Sequence, residues 1–346
     1  MQASYQKNTL QFKKPGGTSR GVLHTKETYF IILTQDDKTG IGECGLFKGL
    51  SYDDVPDYES RLAWVCRHIN LGLDELVAQL QEFPSIVFGL EQAFISIRKK
   101  DPFELFPSRF TEGIDSIAIN GLIWMGSPSF MQQQIKEKLQ SGFTTIKLKI
   151  GAIDFDTELN LLRNIRNEFS SDEIELRVDA NGAFTPENAL EKLERLAALE
   201  IHSIEQPIRA GQWEQMKELC RKTPLPIALD EELIGINTDK QRLLEYIKPQ
   251  YIILKPSLIG GFKASSQWIS LVEKHGIGWW ITSALESNIG LNAIAQYTYQ
   301  LQPEIPQGLG TGSLFTNNFN SPLEVKKGAL FYNKSIPWNI STIITQ

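Results

Sequence analysis

From residue 116 to residue 310 the chain repeats one pattern, a short apolar run followed by a longer amphipathic stretch of helical period. The runs cover 116–122, 144–150, 175–180, 203–207, 227–231, 251–256, 278–284 and, more faintly, 307–310. This alternation predicts parallel strands wrapped by helices, because a parallel pair needs a crossover long enough to hold a helix. The stretch 186–199 shows how these helices begin. Thr185 stands at the cap, Pro186 at the first position, and Glu187 and Glu191 lie early, where the helix dipole favours acids. Eight strands and seven helices in roughly 200 residues fit a (β/α)7β barrel, a modified TIM barrel lacking its last helix, better than an open sheet. An open doubly wound sheet would carry a Gly-rich dinucleotide loop after a strand, and no run is followed by one.

Residues 1–114 read differently. Short β-rich runs at 29–33 and 40–44 flank the turn-forming Asp36-Asp37-Lys38-Thr39-Gly40, which predicts an antiparallel hairpin. Helical patterns follow at 58–71 and 73–81, so this part is expected to be an α+β module. The barrel is expected over 115–321. After about residue 322 the chain should return to the first module, since the β-like 329–332 has no barrel partner left.

The composition narrows the function. Thirty-five basic and 41 acidic side chains give a formal charge of −6 with no basic block, which argues against nucleic acid or an anionic membrane as partner. A small molecule is the expected partner. No apolar run approaches the ~20 residues of a membrane helix, and Cys44, Cys66 and Cys220 show no metal-ligand spacing, so a cytoplasmic protein with reduced thiols is expected.

The ionisable residues among the runs carry the chemistry. The inside of a barrel is packed with branched apolar side chains, so a charge there is costly unless paired or metal-bound. Yet Lys147 and Lys149, Asp179 and Asn181, Glu205, Asp230 and Lys255 fall at the C-terminal ends of successive runs. Asp179 to Glu205 is 26 positions, Glu205 to Asp230 is 25 and Asp230 to Lys255 is 25, one βα unit each time. These groups therefore share one depth, at the end of the barrel where active sites form. A lone charge at a strand end usually caps the next helix; five on five consecutive strands do not fit that explanation.

Three converging carboxylates repel one another, and a cation resolves the repulsion. All-oxygen ligands select a hard ion, and three carboxylates that leave positions open fit Mg²⁺ better than a Ca²⁺ cage; Mn²⁺ meets the same criteria. Glu231 follows Asp230 directly but is expected to point to the opposite face by strand alternation. Lys147 and Lys149, two apart, share the inner face; Lys149, nearer the strand end, is the expected base and Lys147 a contact for the substrate carboxylate. Lys255, across the barrel, would face the other side of a substrate. The arrangement favours removal of a proton α to a carboxylate. His24 and His202 are expected to be structural, and Trp279 and Trp280 to pack between barrel and helices.

The motifs Lys147-Leu148-Lys149, Arg177-Val178-Asp179-Ala180-Asn181, Ile204-Glu205-Gln206-Pro207, Leu229-Asp230-Glu231-Glu232 and Leu254-Lys255-Pro256 together resemble the muconate-lactonizing subgroup of the enolase superfamily. The resemblance implies a capping domain built from the first module (1–114) and the last residues (about 322–346), closing over the barrel mouth. Within the subgroup, Ile119-Asn120-Gly121-Leu122, Thr282-Ser283-Ala284-Leu285-Glu286-Ser287 and Pro306-Gln307-Gly308-Leu309-Gly310 resemble its dehydratase members. That implies a lyase, carrying out a Mg²⁺-dependent syn dehydration of a succinyl-hydroxy-cyclohexadiene-carboxylate in menaquinone biosynthesis. Lys149 would take the α-proton and return it to the departing hydroxyl, while Lys255 would stay charged beside the enediolate.

A racemase of N-acylamino acids, or a dipeptide epimerase, would use the same two lysines. Dipeptide epimerases of the subgroup generally carry an Asp-x-Asp at the eighth strand, and 308–312 holds no acid. A metal-binding barrel without catalysis is the third reading, and the intact lysines argue against it. Specificity is expected from the segments 15–20 and 46–52, with Arg20 or Ser283 binding a substrate carboxylate.

Overall fold

The computed structural model describes residues 1–18 and 21–339. The chain opens with three antiparallel strands, β1 (Gln2–Thr18), β2 (Gly21–Gln35) and β3 (Lys38–Cys44), paired in that order. The predicted hairpin is β2–β3, with Tyr29 opposite Cys44 and Leu33 opposite Gly40, and Asp36 takes the left-handed turn conformation that Asp tolerates. The long strand β1 was not anticipated. Its side chains are mostly exposed or half-buried, so it lacks the apolar run that marks a strand.

Both faces of this sheet are covered. Ile31 and Leu33 pack on Leu62, Val65 and Leu90 of the helices Tyr58–Arg67 and Pro84–Ser96, while Phe30 and Ile41 pack against Ile289 and Phe319 beyond the barrel strands. Predicted helical segments 58–71 and 73–81 appear as Tyr58–Arg67, a 3-10 turn at Ile69–Leu71 and Leu73–Ala78. Gly42 permits the closest approach in this layer, because a Cβ there would lie 1.9 Å from the Gly89 carbonyl oxygen.

The predicted strand at 116–122 divides. Residues Ser116–Ala118 (β4) leave the barrel, and Gly121–Ile123 (β5) is its first strand. The parallel sheet continues through β6 (Thr145–Lys149), β7 (Glu175–Asp179), β8 (Ser203–Glu205), β9 (Ile227–Leu229), β10 (Tyr251–Leu254) and β11 (Gly278–Ile281), each paired to the next. The weakest predicted run closes it: Gly308 N–H donates to Ile281 O at 2.8 Å, and Asn120 N–H donates to Gln307 O at 2.9 Å. These residues bridge the last strand to the first, which completes the (β/α)7β barrel. No helix among the described residues is long and apolar enough to cross a membrane.

The segment 329–332 departs from expectation. It forms β13 (Ala329–Tyr332), paired with β12 (Leu323–Lys326) and with β4, and not with the first module, because the departure of Ser116–Ala118 from the barrel leaves a free strand edge to pair with. The chain reaches the first module only afterwards, where Trp338 stacks on Phe103 at 4.2 Å beside Phe30 and Ile41.

Two glutamates of the first module accept hydrogen bonds at the starts of barrel helices. Glu43 accepts from the N–H groups of Ser287 (2.9 Å) and Gly290 (2.8 Å) at the helix Asn288–Gln300. Glu91 accepts from Phe262 and Lys263 at the helix Gly261–Lys274. Burial, only partly offset by these donors, pushes the Glu91 carboxyl up to about 7.

Gly42→Ala should destabilise the protein by about 1–3 kcal/mol through overpacking, read from urea unfolding; an unchanged midpoint would contradict the packing described. The pKa of Glu91 in the fold lies above its ordinary 4.5, so the stability it contributes is fully present below that value and lost as pH rises through about 7. Glu91→Gln should therefore lose less stability than the unmodified chain between about pH 4.5 and about pH 8, measured by unfolding at each pH.

Candidate active site

Strand alternation decides which side chains face the barrel interior. On β6, β7 and β8 the inward set includes Lys147 and Lys149, Arg177 and Asp179, and Ser203 and Glu205; Lys149 is the register partner of Asp179, and Asp179 of Glu205. Asp230 and Lys255 leave the ends of β9 and β10. Lys147, Asp179, Glu205 and Asp230 are buried, and Lys149 and Lys255 are partly exposed at the mouth.

These groups form a string of alternating charge across the mouth. Lys149 Nζ lies 2.9 Å from Asp179 Oδ2, and Lys147 Nζ 3.1 Å from the same oxygen. Lys147 also pairs with Glu205 Oε2; Glu205 Oε1 lies 3.8 Å from Lys255 Nζ, which in turn pairs with Asp230. β6 and β10 are four strands apart in an eight-stranded barrel, so Lys149 and Lys255 stand on opposite walls. Asn181 accepts from Lys149 through Oδ1 at 2.7 Å and donates through Nδ2 to Glu231 Oε1 at 2.9 Å.

Glu231 is therefore at the site, contrary to the alternation argument. β9 ends at Leu229, and Glu231–Leu233 is a 3-10 turn in which strand periodicity no longer applies. Three consecutive acids straight after a short run were the available signal. Gln206, in a left-handed conformation just past Glu205, was also missed: its Oε1 accepts from the N–H groups of Asp230 (3.2 Å) and Glu232 (3.3 Å) and so fixes the start of that turn.

The electrostatics are uneven. Burial alone raises a carboxyl and lowers an amine. At Asp179 burial is outweighed by Lys147, Lys149 and Lys255, and the carboxyl lies far below the usual range. At Glu205 burial and the flanking Asp179 and Asp230 prevail over the lysines, and the carboxyl lies well above it. Lys147 and Lys255 are lowered by burial but raised more by their carboxylates, Asp179 with Glu205 and Asp230 with Glu205, so both ammonium groups are held.

Among the described residues no three carboxylate, thiol or imidazole groups converge closely enough as they stand to hold a metal. The ammonium groups of Lys147 and Lys255 lie between the acids. The donor chemistry nonetheless suits a hard cation: the oxygens come from three neighbouring strands, and Glu205 Oε1 is buried with no hydrogen-bond partner.

Above the charges is a pocket whose wall includes Asn120, Trp124 and residues 282–285, and whose roof is Leu23, Phe47 and Leu50 from the first module. Ser283 lines it, with Oγ 2.6 Å from Thr311 Oγ1. Phe47 and Leu50 of segment 46–52 thus contribute to the roof. Segment 15–18 ends β1, where Gly16 packs on the Trp124 ring, and Arg20 lies outside the described residues. His202 lies below, against Tyr251, and its Nδ1 is 2.9 Å from Ser203 Oγ. Trp280 points into the barrel and not toward the helices, with the Arg177 guanidinium 4.6 Å from its ring; it shares the inward parity of Ile253 and Ala228.

Known proteins place this arrangement. The enolase C-terminal domain-like family model matches residues 131–334. An o-succinylbenzoate synthase of Desulfotalea psychrophila is 47% identical over 362 aligned positions, which cover 95% of this chain and 98% of that protein. The crystal structure of MenC from Desulfotalea psychrophila LSv54 superposes with a TM-score of 0.85 at 44% identity, covering 96% of this chain and 99% of that one. A dipeptide epimerase from Enterococcus faecalis, complexed with Mg and the dipeptide L-Leu-L-Tyr, shares the fold with a TM-score of 0.81 at 18% identity, over 96% of each chain. A model match over more than half of the chain, joined to a relative of this identity along almost its whole length, makes this protein a member of the enolase superfamily.

Proposed function

We propose that the protein is an o-succinylbenzoate synthase, converting 2-succinyl-6-hydroxy-2,4-cyclohexadiene-1-carboxylate to 2-succinylbenzoate in menaquinone biosynthesis. The observation that carries this reading is 47% identity to a synthase along 95% of the chain. The two lysines on opposite walls supply the matching chemistry.

Members of the superfamily use a divalent metal, and a lysine base with Mg²⁺ at the enediolate is their established pattern. Asp179, Glu205 and Asp230 would hold the ion here, assigned as Mg²⁺ with Mn²⁺ as substitute; when bound it adds positive charge beside the substrate carboxylate and so acidifies the α-proton. Four carboxylates, counting Glu231, outnumber the two lysines that stay charged by two, so a divalent ion would bring the mouth to neutrality while Lys149 is the free base.

Lys149, in its neutral form, takes the proton from the ring carbon bearing the carboxylate, oriented by Asn181 Oδ1. The ammonium of Lys255, held by Asp230, faces the other side of the ring and stabilises the enediolate. The electron pair then expels the hydroxyl on the Lys149 side, Lys149 returns the proton to it, and water leaves an aromatic ring. Lys147 is assigned to the substrate carboxylate, together with Ser283. The apolar roof of Leu23, Phe47 and Leu50 excludes water from the step. We place the enzyme in the cytoplasm, where Cys44, Cys66 and Cys220, none of them in a disulfide, stay reduced.

The opposed lysines also suit racemisation of an N-acylamino acid. The wall at Gly308 and Gly310 carries no acid for a free amino group, which disfavours dipeptides.

Lys149→Ala should lower kcat about 10²–10⁴-fold in an ultraviolet assay of the aromatic product, and full activity would refute the base assignment. In a parallel chiral assay with N-succinylamino acids, fast racemisation without dehydration would overturn the synthase reading. Titrating Mg²⁺ should stabilise the unmodified chain by about 2.7 kcal/mol at a hundredfold excess over Kd. Glu205→Gln should lose most of that gain in a melting experiment, and an undiminished gain would remove Glu205 from the ligand set.

A further inference from the structure

A second set of buried charges, unused by the reaction, lies where the first module meets the barrel. Lys26 is on β2, Glu43 on β3 and Glu286 in the turn after β11, and all three are buried. Lys26 Nζ has no hydrogen-bond partner among the described residues, lies 6.0 Å from the Phe47 ring of the pocket roof, and is attracted by both Glu286 and Glu43. Burial pushes the Lys26 amine down and the Glu286 carboxyl up, as expected of charges with little water around them.

The two carboxylates are tied to the active-site wall. Glu286 Oε1 accepts from the Ser257 hydroxyl, two residues beyond Lys255, and its Oε2 accepts from the N–H of pocket-lining Ala284 at 2.8 Å. Glu43 accepts from Thr28 Oγ1 at 2.8 Å within the first module, and from the N–H and hydroxyl of Ser287 and the N–H of Gly290 across the junction. Between these anchors Leu285 is in the left-handed region at φ 62°, a conformation that costs energy for Leu and so needs support from both sides. Its side chain lines the pocket with Leu23 and Phe47. Gly45 completes the contact, since a Cβ there would lie 2.9 Å from Ser257 Cβ and 3.0 Å from Glu286 Cγ.

We propose that Glu286 and Glu43 are positioning residues of the active site. Glu286 sets the aim of Lys255 through Ser257 and holds the wall at Ala284, while Glu43 locks the edge of the capping sheet onto the same turn and so sets the height of the apolar roof over the substrate. Lys26 joins the two carboxylates into one cluster. The two roles separate kinetically: aim belongs to kcat, and the roof belongs to substrate binding.

This rests on the dehydration reading, and the two can fail separately. Turnover of the cyclohexadiene substrate by the unmodified enzyme tests that reading alone. The variants are then compared with the unmodified enzyme on whichever reaction, dehydration or racemisation, it performs. Glu286→Ala should lower kcat about 10- to 100-fold while KM changes less than about threefold, the signature of a misplaced group and not of lost binding. Glu286→Gln retains an acceptor for Ala284 N–H and a donor for Ser257 Oγ, so it should recover kcat to within about threefold. Glu43→Ala should raise KM about tenfold and leave kcat within about threefold. Should Glu286→Ala fail to fold by circular dichroism, Ser257→Ala stands in for it and should lower kcat at least about threefold. The proposal is overturned by kcat within about twofold of the unmodified enzyme in Glu286→Ala, or in Ser257→Ala where that variant stands in. Failure of Glu286→Gln to rescue, or an unchanged KM in Glu43→Ala, overturns it equally.

Discussion

A charge inside a β-barrel is tolerable only beside an opposite one, and the mouth of this barrel meets that condition along a string. Lys149, Asp179, Lys147, Glu205, Lys255 and Asp230 alternate in sign from one wall to the other, so each group has an opposite neighbour on at least one side. The pairing explains how six ionisable side chains coexist at the barrel mouth, Lys147 one layer below Lys149. Glu205 is still the most demanding member, because burial and the charges of Asp179 and Asp230 on the adjoining strands outweigh its two lysines. The carboxylate that burial and its neighbours most disfavour as an anion is the one that an added positive charge would stabilise most.

Much of this was legible in the sequence because strands have a period of two and βα units a nearly constant length. The 25- and 26-residue intervals required Asp179, Glu205, Asp230 and Lys255 to occupy equivalent places, and the two-residue step required Lys147 and Lys149 to share a face. The structure brings all six together. The (β/α)7β count held for the same reason, and even the faint run at 307–310 closes the barrel.

Where periodicity stops, the reading failed. Glu231 follows a strand of only three residues and turns inward with the 3-10 segment. Trp280 looked like outer packing until its parity with Ile253 was fixed by register. β1 carries few buried side chains, so no apolar pattern announced it, and the pairing of β13 with β4 depended on a strand leaving the barrel at Asn120. The lysines standing between the carboxylates are likewise a matter of side-chain placement, which spacing does not encode.

The capping sheet is apolar on both faces, with Ile31 and Leu33 turned to its own helices and Phe30 and Ile41 turned to the barrel. A module built this way cannot swing off as a rigid flap without wetting one of those layers and breaking the glutamate contacts at both helix starts. The pocket is therefore reached past the roof side chains Leu23, Phe47 and Leu50, not by lifting the whole sheet. The enzyme is better pictured as a vessel with a fixed lid and a small spout than as one that opens and shuts.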